Sequence, residues 1–281
     1  MTNLPSPSIG DIHHPAPNEP TPRMLGAMPA FAPLFVPGTE QVSVRWLSLV
    51  YPTSRAIVDA VLPGPLTTPA TPEVMVWIAE FRGARFTDSA GNVETRPAYM
   101  QGGVNLRCRY DNADGAYAVE TFVEGLNHGI LGREMFGLPK KQVTQVEFEP
   151  TATGASFGFS DARGHRLLAG SAPVGAPTAE RIAPNWFDTQ YTAKLIPRAD
   201  GPGYDISRLV RIPFRLDATG PLQAGTASVE WTPSASDPLH LLTRTGDASA
   251  VWGEADLAID YGTYVADLTP ADIPAFGTPR W

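Results

Sequence analysis

Three residues of the chain are lysines, and two of them, Lys140 and Lys141, stand side by side. The third is Lys194, and arginine supplies the other eighteen of the 21 basic residues. A chain that meets its need for positive charge with arginine keeps its lysines for something arginine does not do. Arginine stays protonated, whereas a lysine can lose its proton and become an amine nucleophile. Such an amine condenses with a ketone or aldehyde to an iminium, an electron sink for a breaking C–CO2, C–H or C–C bond. A free lysine titrates near 10.4, so reactivity at neutral pH needs about four units of bias, or about 5 kcal/mol. Desolvation and a nearby cation both push that way.

The flanking sequence says how the pair is held. Just ahead of GILGREMFGLPKKQ (129–142), Asn127 is placed to cap a short helix over 129–136, and Gly137 to stop it in a left-handed conformation. Leu138 precedes Pro139 and is driven out of the helical region. Lys140 then starts a strand that continues as VTQVEFE. Neighbouring strand residues point to opposite faces, so only one of the two lysines enters a given pocket. Met135, Phe136 and Leu138 supply apolar bulk beside it. The plain alternative is a basic patch at a helix end, where cations meet the helix dipole.

Composition bounds the rest. The chain has 281 residues, 43% of them hydrophobic, enough for one large domain or two small ones. Residues 1–38 contain Pro5, Pro7, Pro15, Pro17, Pro20 and Pro22, which predicts an extended arm ahead of a single domain over 39–281. Net charge is −8 with no basic stripe, which argues against nucleic acid. No apolar run reaches membrane-spanning length and no secretory signal opens the chain, so a soluble, cytoplasmic protein is expected. Cys108 is the lone cysteine; it alternates with Val104, Leu106 and Tyr110 and reads as a small buried residue. His13 and His14 adjoin but have no partners at metal-ligand spacing.

Alternation predicts strands over 41–51, 74–82, 104–110, 116–124, 154–160, 165–170, 189–197, 204–215, 226–231 and 250–259. DNADG reads as a hairpin loop between the third and fourth of these. A short helix is expected from Thr53 or Ser54 to Leu62. The class is mainly β, mostly antiparallel, with two or three short helices.

The segment GREMFGLPKK resembles the signature of the acetoacetate decarboxylase superfamily. LVYPTSRAIVDAVLPGPL (49–66) and NWFDTQYTAKLIPRADG (185–201) are similar to two further family segments, in the same order. The resemblance implies a cone-shaped closed β-barrel wrapped by antiparallel sheet, a homo-oligomer, and no cofactor. It also implies a Schiff base on Lys140, with Lys141 the second lysine of the pair. The family is the standing example of a lysine activated by its surroundings. Two glutamates and an arginine flank the Schiff base in true decarboxylases. Glu80 matches the earlier glutamate, Gln101 in Tyr99-Met100-Gln101 takes the place of the second, and Arg45 falls one residue out of register for the arginine.

Gln101 is the informative departure. A carboxylate there would repel the substrate's own carboxylate and favour loss of CO2, whereas an amide NH2 donates to a carboxylate and holds it. The expected activity is therefore an aldolase-dehydratase or hydratase acting on a small oxo acid such as pyruvate, with an aldehyde as co-substrate. Acetoacetate decarboxylation is the alternative, and a non-catalytic small-ligand-binding barrel the alternative from another class. Glu80 is the acid/base candidate; its plain alternative is a salt bridge to Arg82 or Arg107. Tyr261 is a candidate to place a phenol in the pocket, against a role as a satisfied core phenol. Arg133 and Glu134 are read as anchors of the helix.

Overall fold

In the computed structural model, the residues described are 38–88, 90–125, 131–175 and 181–274. Asn127, His128, the histidines of the arm and the arm itself lie outside them. In chain order, β1 (Gly38–Pro52) leads through the short helix α1 (Arg55–Val61) into β2 (Glu73–Asp88) and β3 (Val93–Thr95). A hairpin of β4 (Tyr99–Tyr110) and β5 (Ala113–Glu124) is followed by α2 (Leu131–Phe136) and β6 (Lys140–Val143). Three strands form a meander: β7 (Gln145–Thr151), β8 (Gly154–Ser160) and β9 (Arg166–Pro173). The chain ends with β10 (Thr189–Pro197), β11 (Tyr204–Ala218), β12 (Gln223–Trp231), β13 (Ala248–Ile259) and β14 (Thr263–Asp267).

The sheet closes on itself. Strands β11, β10, β5, β4, β2, β1 and β13 are hydrogen-bonded in that order, and β13 pairs back with β11. Closure leaves these strands without free edges. Within the ring, β10 joins β5 parallel and the other pairs are antiparallel. A second layer of β12, β9, β8 and β7 extends from β13 and packs on the outer face.

Alternation separates two cores. Inside the ring, Trp46 stacks on Trp77 at 4.8 Å, and Phe187 and Phe214 complete the cluster. Outside, Phe122 of β5 meets Phe159 of β8 at 4.8 Å. Two adjacent glycines of β4 mark the sides. A side chain on Gly102 would strike Phe159 of the outer layer, and one on Gly103 would strike the Trp77 ring inside.

Most strands fall where alternation places them, and β10 matches residue for residue. Cys108 is fully buried, as its pattern predicts. Three features differ from the sequence expectation. The β4–β5 turn is only Asp111-Asn112, both at positive φ (47° and 63°), a two-residue turn whose twist suits the hairpin. The strand expected from Lys140 onwards breaks at Thr144. Residues 140–143 pair with β5 in the ring, whereas 145–151 pair with β8 in the outer layer. β14 was not foreseen. Among the described residues no helix is long and apolar enough to cross a membrane.

Candidate active site

The lysine pair is set by the stop of α2. Gly137 adopts φ +74° and donates its N–H to the Arg133 carbonyl at 3.0 Å, the left-handed stop the sequence predicts. The last carbonyls of the helix find donors on β10: the Thr192 hydroxyl donates to Phe136, and Lys194 Nζ donates to Met135 at 3.0 Å. The third lysine is thus a helix clamp. Beyond Pro139 the chain joins β5 in parallel, with Lys140 opposite Thr121. Arg133 Nη1 donates to the Lys140 carbonyl at 2.9 Å, which bears out its reading as an anchor.

Lys140 faces inward. Its side chain is buried, and Nζ donates to Gln101 Oε1 at 3.2 Å. Gly132 leaves space for it; a Cβ there would lie 3.1 Å from Nζ. Burial lowers its pKa to about 8, against an opposing pull from Glu40. Gln101 Nε2 donates in turn to the Tyr99 hydroxyl at 3.1 Å, and the Tyr99 ring stacks on Phe81 at 4.9 Å. The Tyr99 phenol is pushed well above its usual range, first by burial and then by Glu40. Glu40 is ion-paired with Arg96, whose guanidinium lies 4.8 Å from the Phe86 ring centre. A polar chain, buried at Lys140 and Gln101 and partly exposed beyond them, therefore runs from the amine through Gln101 and Tyr99 towards Glu40 and Arg96.

Lys141 faces outward. It forms ion pairs with Glu120 and with Asp237, the latter at 2.5 Å. Burial pulls its pKa down, but the two carboxylates outweigh that and it ends raised. Glu120 is pushed up to about 8, chiefly by burial and then by its hydrogen bond with Asp237. Asp237 ends lowered, because hydrogen bonds from Glu120 and Lys141 outweigh its burial.

Of the residues named from sequence, the structure brings together Lys140 and Gln101. It does not bring Glu80 to them. Glu80 sits opposite Met100, one residue out of phase with the Ala79–Gln101 pair, and so points to the other side of the sheet. There its carboxylate bridges Arg45 Nη2 at 2.9 Å and Arg82 Nη2 at 2.7 Å. Arg45 shares that face, with its guanidinium 5.6 Å from the Phe148 ring centre. Tyr261 is 60% exposed in the turn between β13 and β14, not a buried phenol. Sequence reasoning missed Tyr99, Glu40 and Arg96. Tyr99 had a signal, since it lies two residues from Gln101 and shares its face. Glu40 and Arg96 had none. They meet because Glu40 pairs with Phe86, and the strand bearing Phe86 also pairs with β3, next to Arg96.

Comparison with known proteins places this geometry. The family model for acetoacetate decarboxylase matches residues 17–268. An acetoacetate decarboxylase from Chromobacterium violaceum is 27% identical over 245 residues, covering 86% of this chain and 94% of the relative. A solved acetoacetate decarboxylase superposes with a TM-score of 0.70 at 17% identity, covering 85% of this chain and 94% of that one. The enduracididine biosynthesis enzyme MppR, solved with the condensation product of pyruvate and imidazole 4-carboxaldehyde, superposes with a TM-score of 0.63 at 14% identity, covering 84% and 92%. With a family match over most of its length and the same closed fold, the chain belongs to the acetoacetate decarboxylase family.

Proposed function

We propose that this protein is a lyase that holds a small 2-oxo acid such as pyruvate as an iminium on Lys140 and adds the derived enamine to an aldehyde, with loss of water. The neutral amine attacks the ketone carbon, and the carbinolamine expels water to leave the iminium. Loss of a methyl proton gives the enamine. Its carbon forms a bond to the aldehyde carbon, and the new alkoxide takes up a proton. Elimination of that hydroxyl as water, then hydrolysis of the iminium, returns the amine and releases an unsaturated 2-oxo acid. Among the described residues, Glu40 is a carboxylate whose charge acts on Lys140, and this reading assigns it to take the methyl proton.

The observation that carries this reading is the amide of Gln101 at 3.2 Å from a buried amine. Its oxygen accepts from Lys140 and its NH2 donates to Tyr99, so a second N–H remains for a substrate carboxylate. A carboxylate held in this way stays on the substrate. MppR, of the same fold, has been solved with a condensation product of pyruvate and an aldehyde. The second reading, decarboxylation of acetoacetate, draws on the names of the curated relatives and on the negative charge of Glu40 near the amine.

The discriminating experiment offers purified protein acetoacetate in one vessel, and pyruvate with an aromatic aldehyde in another. The expected result is a conjugated condensation product from the second and slow CO2 release from the first. Rapid CO2 release with no condensation product would replace this reading with the decarboxylase.

A further inference from the structure

On the outer face of β6, directly behind the catalytic lysine, lies a cavity of about 340 Å3. That volume falls within the range of small-molecule sites. Its walls are apolar, with Val61 at the end of α1 and Leu239 and Leu242 after β12. Three charged side chains interrupt them: Glu120 of β5, Lys141 of β6 and Arg133 of α2. Glu120 is almost fully buried and lies against both Lys141 and Asp237. Its carboxyl is hydrogen-bonded to that of Asp237, so the two acids share one proton and carry a single negative charge between them. That one charge, beside Lys141, balances one of the two cations, and the wall keeps one positive charge in excess. One surplus charge beside an apolar chamber selects a singly charged anion with a hydrocarbon body.

We propose that this outer cavity is a second binding site, for a short-chain monocarboxylate, with the carboxylate on Arg133 and Lys141 and the chain against Val61, Leu239 and Leu242. Lys140 is not part of its lining, so the site stands apart from the Schiff-base chemistry. Arg133 links the two, because it lines the cavity and also donates to the Lys140 carbonyl at 2.9 Å. Occupancy of the outer site thereby bears on the backbone that aims the catalytic amine.

Butanoate is the probe, since it has no carbonyl able to condense with an amine. Calorimetric titration into the Lys140→Ala protein is expected to show one saturable site per chain. Arg133→Gln should weaken binding at least tenfold. Leu239→Trp, which fills the chamber, should abolish it while circular dichroism stays unchanged. Val61→Phe fills the chamber from the opposite wall and serves if Leu239→Trp does not fold. No saturable binding, or binding that both filling substitutions leave intact, would overturn the proposal. Because the assay lacks Lys140, its outcome is independent of whether that lysine forms a Schiff base.

Discussion

Lys140 and Lys141 are consecutive residues of one short strand, and their proton affinities are driven in opposite directions. The inward amine is buried beside the Gln101 amide and its pKa is lowered to about 8. The outward amine lies between Glu120 and Asp237 and is raised. Both feel desolvation, which disfavours charge. What differs is the balance: the two carboxylates beside Lys141 outweigh its burial, whereas burial of Lys140 outweighs the pull of Glu40. From the free value of 10.5, the shift at Lys140 amounts to about 3 kcal/mol against its ammonium form. Lys141 is turned away from Lys140, so repulsion between the two ammonium groups is not needed to explain the lowering.

The sharpest way to break this contrast is to remove each lysine in turn. Lys140→Ala should cut turnover by at least about 1,000-fold, measured as steady-state product formation. Lys141→Ala should leave covalent capture of a ketone intact. Its cost should appear in stability, because Glu120 and Asp237 are left facing each other without a cation. That cost should be about 2 kcal/mol in denaturant unfolding, below the loss from a fully buried pair because Lys141 is half exposed.

The environment of the inward amine gives the next largest effect. In the proposed reaction the neutral amine is the nucleophile, so the rate of adduct formation should rise with pH through about 8 and level off above it. Gln101→Glu places an anion beside the ammonium form and favours it. The midpoint of the rate profile should move up by about one unit, and CO2 release from acetoacetate should increase.

A separate effect lies on the outer face. Burial first, and then the hydrogen bond with Asp237, push the Glu120 carboxyl from an ordinary 4.5 up to about 8, so the folded state holds its proton more tightly. The stability this contributes is present below pH 4.5 and is lost as pH rises towards 8. Glu120→Gln removes that titration. Thermal melts between pH 5 and 8 should show the stability of the variant, relative to the parent, improving as pH rises.

Local features of the site were legible in the sequence. Gly137 at a left-handed stop, Pro139 forcing extension and Lys140 opening a strand all follow from single-residue backbone preferences. Alternation then separates the lysines. Features that depend on sheet registration were not legible. Glu80 looked like a site residue in one dimension, but it lies out of phase with Gln101 across the β2–β4 pair and joins Arg45 and Arg82 instead. Glu40 and Arg96 are 56 residues apart and meet only through the pairing of β1, β2 and β3. The break at Thr144 belongs to the same class. Nothing in KKQVTQVEFE says that its two halves serve different layers, because each half has strand character of its own. Tyr261 failed for a simpler reason: an aromatic near the end of a β chain has no pattern that tells a turn from a core.

The central claim is that one amine, Lys140, captures a carbonyl carbon. Reducing the protein with borohydride in the presence of pyruvate, then locating the modified peptide by tandem mass spectrometry, tests it most directly. The account predicts one reduced pyruvyl adduct per chain, on Lys140, with Lys141 and Lys194 unmodified. An adduct on either of those lysines, or no adduct at pH 8 or above, would contradict it.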